Sequence, residues 1–98
     1  MMPSMDEKKI ETELAKRKDW SRLGDSISRT FEFTDFPASI RFVVAIAKQA
    51  EKSQHHPDIM IRWNKVTLTL STHDAGGITE KDFASAKYAD EVAAKTKK

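Results

Sequence analysis

Ile27-Ser28-Arg29-Thr30-Phe31-Glu32-Phe33, with the run from Phe36 to Gln54 behind it, is the stretch that decides the fold. In its first part Ile27, Arg29, Phe31 and Phe33 point one way while Ser28, Thr30 and Glu32 point the other. A period of two marks a strand with one face toward a core. Arg29 is the misfit on the apolar side and is expected near an edge, where its head reaches water. In the second part Phe36, Ile40, Val43, Val44, Ala47 and Ala50 recur at three- and four-residue steps, and Phe42 and Ile46 widen the stripe. Thr34 or Asp35 can cap this helix, and Pro37 fits its first turn. So broad an apolar face predicts a helix lying flat against a sheet, stopping before Pro57.

The flanks extend the pattern. Upstream, Ile10, Leu14 and Ala15 predict a short helix over Glu7 to Lys18, and Trp20 to Leu23 a strand closed by a Gly24-Asp25 turn. Downstream, Ile59, Ile61 and Trp63 alternate with Met60 and Arg62, and Val66, Leu68 and Leu70 alternate with Thr67, Thr69 and Ser71. Asn64-Lys65 suits the tight connection between these two strands, since Asn tolerates positive φ. After a turn at Asp74 to Gly77, Thr79 and Asp82 form a helix-starting pair. Phe83, Ala86, Tyr88, Ala89, Val92 and Ala93 carry a last helix to about Lys95. The order helix-strand-strand-helix-strand-strand-helix predicts an α+β fold, a four-stranded antiparallel sheet with helices packed on one face.

Composition narrows the function classes. Ninety-eight residues make one domain, expected over 6–95, with a loose start at 1–5 and a basic tail at 96–98. No run approaches the roughly 20 apolar residues of a membrane span. The absence of cysteine removes disulfide scaffolds and thiolate metal sites. Met1 to Met5 leads directly into Asp6-Glu7-Lys8-Lys9, without the apolar core of a secretory signal, so the expected location is cytoplasmic. The net charge of +2 comes from mixed signs, with Lys95, Lys97 and Lys98 supplying much of the excess. No concentrated basic face emerges, and no direct nucleic-acid contact is expected.

The chain has three histidines, His55, His56 and His73, and all fall at element ends, where a rigid scaffold can aim them. A hairpin carries the chain out and back, so His56-Pro57 at its start and His73 at its end come within reach of one small ligand. Glu51, Trp63, Asp74 and Asp82 stand around them in sequence. Zinc takes three nitrogen ligands in some catalytic sites. Adjacent His55 and His56 would point apart in extended chain, however, and their spacing matches no zinc motif, so neither metal nor other cofactor is expected. Proton transfer suits the set better: with an unperturbed pKa of about 6.5, one ring can donate while another accepts near neutrality. Asp74-Ala75-Gly76-Gly77 lacks the glycine spacing and Lys-Ser/Thr of a phosphate loop. Ser71-Thr72-His73 lacks the glycines of a nucleophile elbow.

Taken as one pattern, Glu51, His55-His56-Pro57, Trp63, His73 and Asp82 resemble the signature of the pterin-4a-carbinolamine dehydratases. Ala50-Glu51-Lys52, Asn64-Lys65-Val66, Ser71-Thr72-His73-Asp74 and the Phe31-Glu32-Phe33 junction agree with it, and the likeness runs from about Trp20 to Val92. The resemblance implies an α+β fold and metal-free dehydration of a 4a-hydroxytetrahydropterin to the quinonoid dihydropterin, in tetrahydrobiopterin recycling after aromatic amino-acid hydroxylation. It also implies a homodimer or homotetramer. Carried over by position, His55, His56, His73 and Asp82 become the catalytic set, and His56, Glu51, Trp63 and Asp74 the substrate-binding set. His55 and His73 would share the acid and base roles, His56 would chiefly hold the pterin, and Asp82 would orient a histidine. Trp63 also suits a place in the core, and Asp82 ordinary stabilisation of a helix start.

A rival implication is a protein-binding module that stabilises dimers of a transcription factor, with or without catalysis. Self-association has a physical basis of its own, because exposed sheet edges are commonly paired or covered. Val66 to Ser71 could pair with its copy if it lay at an edge.

Overall fold

The structure is a computed structural model that describes residues 5–96, apart from the side chain of His73. Residues 1–4 of the expected loose start, and Lys97 and Lys98 of the expected tail, lie outside the described residues. The elements are α1 (Glu7–Lys16), β1 (Ser21–Leu23), β2 (Ser26–Glu32), α2 (Phe36–Ser53), β3 (Asp58–Arg62), β4 (Lys65–Leu70) and α3 (Glu80–Thr96), with a one-turn 3-10 helix at His73–Ala75. They build the α+β layers that the alternation of periods predicts. The four antiparallel strands lie in the order β1-β2-β4-β3.

That order places Val66 to Leu70 inside the sheet. β4 pairs with β2 on one side (Phe31 opposite Val66, Ile27 opposite Leu70) and with β3 on the other. The condition set for self-pairing through this strand, a place at the sheet edge, is therefore not met. Both of its flanks are hydrogen-bonded, and Val66, Leu68 and Leu70 supply the floor of the core. The free edges belong to β1 and β3.

Three further local corrections have physical causes. Arg29 sits on a central strand rather than near a sheet edge. Its guanidinium is held by Asp90 at 2.6 Å and lies 4.3 Å from the centre of the Phe31 ring, so a carboxylate and a π-face replace much of the water. The α2 stripe is rotated from the expected one: Ala38, Ser39, Phe42, Ile46 and Ala50 are buried, while Phe36 and Val44 are 46% and 47% exposed. Small residues let the start of the helix approach the sheet, and Phe42 then meets Phe31 at 4.8 Å and Phe33 at 5.0 Å. The hairpin turn falls one residue early, at Trp63-Asn64, with Lys65 already paired to Arg62. Trp63, at φ +55°, takes the positive angle expected of Asn64, and Asn64 instead donates its amide to the Phe33 carbonyl at 3.0 Å.

α1 is shorter than expected, ending at Lys16, and inserts Ile10 into the core. Exposed ion pairs tie its outer side to its neighbours: Lys9 to Glu80 at 2.9 Å, and Glu7 to Arg22. Hydrogen bonds from these cations hold the Glu80 and Glu7 carboxyls below the usual carboxylate range. Ahead of the helix, the Met5 backbone N–H donates to the Ile78 carbonyl at 2.8 Å. The last helix packs an almost all-alanine face, Ala86, Ala89 and Ala93, behind Phe83, which lets it lie close to α2.

Candidate active site

Two helix ends face each other and make the site. α2 stops at Gln54, whose left-handed backbone (φ +56°) lets its own N–H and that of His55 (3.2 Å) both reach the Ala50 carbonyl. This reversal sends consecutive imidazoles in different directions. His55 turns inward, its side chain 9% exposed, and His56 turns outward at 56%. The outer ring is bonded by the helix it has just left, with His56 Nε2 2.6 Å from Glu51 Oε2.

The inner ring meets the start of α3. Thr79 caps that helix, its hydroxyl accepting from the Lys81 N–H at 3.2 Å. Asp82 reaches back to accept the Thr79 N–H at 2.8 Å. This is the reciprocal capping pair that the sequence spacing predicts. Asp82 is fully buried, and its other oxygen lies 2.7 Å from His55 Nε2. Thr72 completes the cluster, 3.0 Å from Asp82 Oδ2 and 2.6 Å from the Thr79 hydroxyl. Helix stabilisation and contact with a histidine are thus both roles of Asp82, one through each oxygen.

His55 borders two adjoining clefts. One runs between α2, β4 and α3, lined by Ile46, Pro57, Leu70 and Tyr88 among others; the second is bordered by Gln49, Ser53, Lys81, Ala84 and Ser85. The first has room for about one water molecule, so within a single chain it is apolar surface beside the ring rather than a finished ligand pocket.

The other expected site residues fall less closely together. The backbone of His73 follows Thr72 directly, so the chain brings it to the corner where Thr72 touches Asp82. Its side chain lies outside the described residues. Asp74 is exposed in the same 3-10 turn. Trp63 lies at the far end of β3, about 20 Å of extended chain from Pro57, and at 69% exposure it is no core residue. One chain therefore gathers His55, Asp82 and the 72–73 corner, with His56 and Glu51 beside them, and leaves Trp63 apart. Thr72 and Thr79 were not among the expected site residues. The Thr79–Asp82 spacing announces a cap, but nothing local marks Thr72 except its place next to His73. Among the described residues no three His, Asp or Glu side chains are grouped to hold one metal ion.

With this geometry in hand, known proteins offer a comparison. The family model described as Pterin 4 alpha carbinolamine dehydratase matches residues 3–92. A Chloroflexus aurantiacus protein provisionally named pterin-4-alpha-carbinolamine dehydratase is 54% identical over 91 residues, covering 93% of this chain and 98% of its own. A Nocardia farcinica protein with the same provisional name is 49% identical over 89 residues, covering 91% and 94%. Among solved structures, a transcriptional coactivator/pterin dehydratase from Brucella melitensis superposes with a TM-score of 0.88 at 32% identity, over 92% of this chain and 98% of that one. A pterin dehydratase-like protein described as a RuBisCO assembly factor of the alpha-carboxysome gives 0.66 at 26% identity, over 76% and 89%.

Proposed function

The chain belongs to the pterin-4a-carbinolamine dehydratase family, and from that membership we propose that it is a hydro-lyase converting a 4a-hydroxytetrahydropterin to quinonoid dihydropterin and water. The reaction removes the proton of the ring N–H beside the hydroxylated carbon. That nitrogen's electron pair forms the new C=N bond, the C–O bond breaks, and the departing oxygen takes up a proton to leave as water. Both transfers suit imidazole near neutrality, without metal or cofactor. His55 and His73 share the acid and base roles, His56 with Glu51 holds the pterin, Asp74 and Trp63 contribute to binding, and Asp82 orients His55.

The observation that carries this reading is the buried Asp82 bonded to His55 at 2.7 Å at the mouth of an apolar cleft. A histidine oriented by a buried carboxylate is a recurring arrangement for moving protons. Purified protein given a chemically generated 4a-hydroxytetrahydropterin is expected to accelerate loss of the carbinolamine absorbance, with or without chelator. Folded His55→Ala should be slower by about 100-fold or more. Wild-type rates in both His55→Ala and His73→Ala would remove the acid–base assignment.

The physiological setting proposed with this activity is cytoplasmic recycling of tetrahydrobiopterin behind an aromatic amino-acid hydroxylase, by a homodimer or homotetramer. The second reading, a module that stabilises dimers of a transcription factor, draws support from the name of the Brucella protein and from the exposed apolar residues Phe36 and Val44 on α2. Light scattering with and without a helical partner separates the two. A homotetramer that never exchanges subunits counts against the partner role.

A further inference from the structure

We infer that Thr72 and Thr79 are positioning residues that hold His55 in a single tautomer, with the proton on Nε2 and the lone pair on Nδ1. The consequence for turnover rests on the dehydratase reading; the tautomer itself does not.

The inference follows from tracing each hydrogen through the buried cluster. Oxygen Oδ2 of Asp82 accepts the Thr79 backbone N–H at 2.8 Å, and Thr72 Oγ1 lies 3.0 Å from it. A carboxylate oxygen can only accept, so the Thr72 hydroxyl hydrogen is directed there. Thr72 Oγ1 then has only lone pairs to offer Thr79 Oγ1 at 2.6 Å, and Thr79 must donate its own hydrogen. Thr79 in turn accepts from the Lys81 N–H at 3.2 Å, which closes the chain of donors. Every hydrogen in the cluster thus runs toward Asp82, and two donors on one oxygen are the partners of an ionised carboxylate. The remaining oxygen, Oδ1, faces His55 Nε2 at 2.7 Å, so that nitrogen must carry a hydrogen. Nδ1 has no hydrogen-bond partner among the described residues, and no buried side-chain nitrogen or oxygen there lacks one. With Nε2 committed to Asp82, Nδ1 is the nitrogen left for a substrate.

Removing the Thr72 hydroxyl leaves Oδ2 with one donor and frees the carboxylate to rotate, so that Nε2–H no longer has a single fixed acceptor. The ring can then adopt the other tautomer, which carries an N–H at Nδ1 in place of the lone pair.

The test is two-bond 1H–15N NMR of the histidine rings, run on wild type, Thr72→Val, Thr72→Ala and Thr72→Ser. Neutral His55 in wild type is expected to show a protonated Nε2 and a bare Nδ1. Val and Ala variants should show a mixture of tautomers, and Ser should restore the wild-type pattern. In the dehydratase assay kcat should fall roughly tenfold to a hundredfold in the Val or Ala variant with KM little changed, and recover in Ser. A wild-type spectrum with the proton on Nδ1 overturns the proposal whatever the variants do. So does a folded Val or Ala variant that keeps both the tautomer and kcat. The expected tautomers in a protein that dehydrates no pterin would uphold the positioning and sink the enzyme reading instead.

Discussion

Arg29 carries a charge onto the apolar side of a central strand, and its neighbours show what makes that tolerable. Asp90, on α3, accepts from Arg29 at 2.6 Å, from Arg17 at 3.0 Å and from the Trp20 indole N–H at 2.9 Å. One carboxylate therefore ties the loop after α1 and the middle of β2 to the last helix. Its removal leaves Arg29, only 18% exposed, with the longer contact to Asp19 at 3.5 Å as its remaining ion pair. Asp90→Ala should cost about 2–3 kcal/mol, below the figure for a fully buried pair because water reaches both partners. Asp90→Asn, which keeps an acceptor for Trp20, should cost less, and urea denaturation followed by fluorescence measures both. From the sequence the misfit was visible but its remedy was not, because the partner lies 61 positions away. The site divides along the same line. His55, His56 and Asp82 were legible as a spaced pattern, and the Thr79–Asp82 cap as a local one. Thr72 was not, since an interior hydroxyl leaves no mark on periodicity.

Helix α2 shows why a periodic pattern places an element more surely than it orients it. Existence, cap and stop are all as the residues dictate: Asp35 caps by accepting the Ala38 N–H at 2.9 Å, and the helix ends three residues before His56. The buried line is set by which side chains let the backbone come close, however, and the alanines and Ser39 carry little weight in a hydrophobic stripe. Ser39 hides because its hydroxyl bonds the Asp35 carbonyl at 3.3 Å. Two adjoining stripes, one buried and one exposed, therefore merge in the sequence into a single broad face. A pair of substitutions separates them. Phe42→Ala, which empties the contact with Phe31 and Phe33, should destabilise by about 3–5 kcal/mol. Phe36→Ala and Val44→Ala should each cost well under 1 kcal/mol in chemical denaturation at dilution. Equal losses at positions 36 and 42 would mean that the helix buries the face its periodicity suggests.

At the scale of the whole molecule, the sheet ends on β3, which nothing among the described residues covers. All five residues from Asp58 to Arg62 are exposed, among them Ile59, Met60 and Ile61, and it is this strand rather than β4 that presents an open pairing edge. An edge so apolar, with no proline in it, invites a second copy. Strand order could not be read from the text, because pairing depends on contacts between segments that local spacing does not encode. Antiparallel two-fold pairing centred on Met60 sets each residue against the one equally far on the other side of that centre. Trp63 of the second copy then lies beside Pro57, next to His56, which would return the stray aromatic to the site from across the interface. Its strained backbone at φ +55° is what such a role could require of a bulky residue in the first position of a two-residue turn. Met60→Lys, which opposes like charges on the axis, should shift the assembly toward smaller species in light scattering. The shared site has a sharper test. His55→Ala and Trp63→Ala chains, each impaired alone, should recover activity when refolded together, up to about one site in four for random pairing. A mixture no faster than the mean of its parents would confine Trp63 to its own chain, where it stands too far from His55 to serve the same ligand.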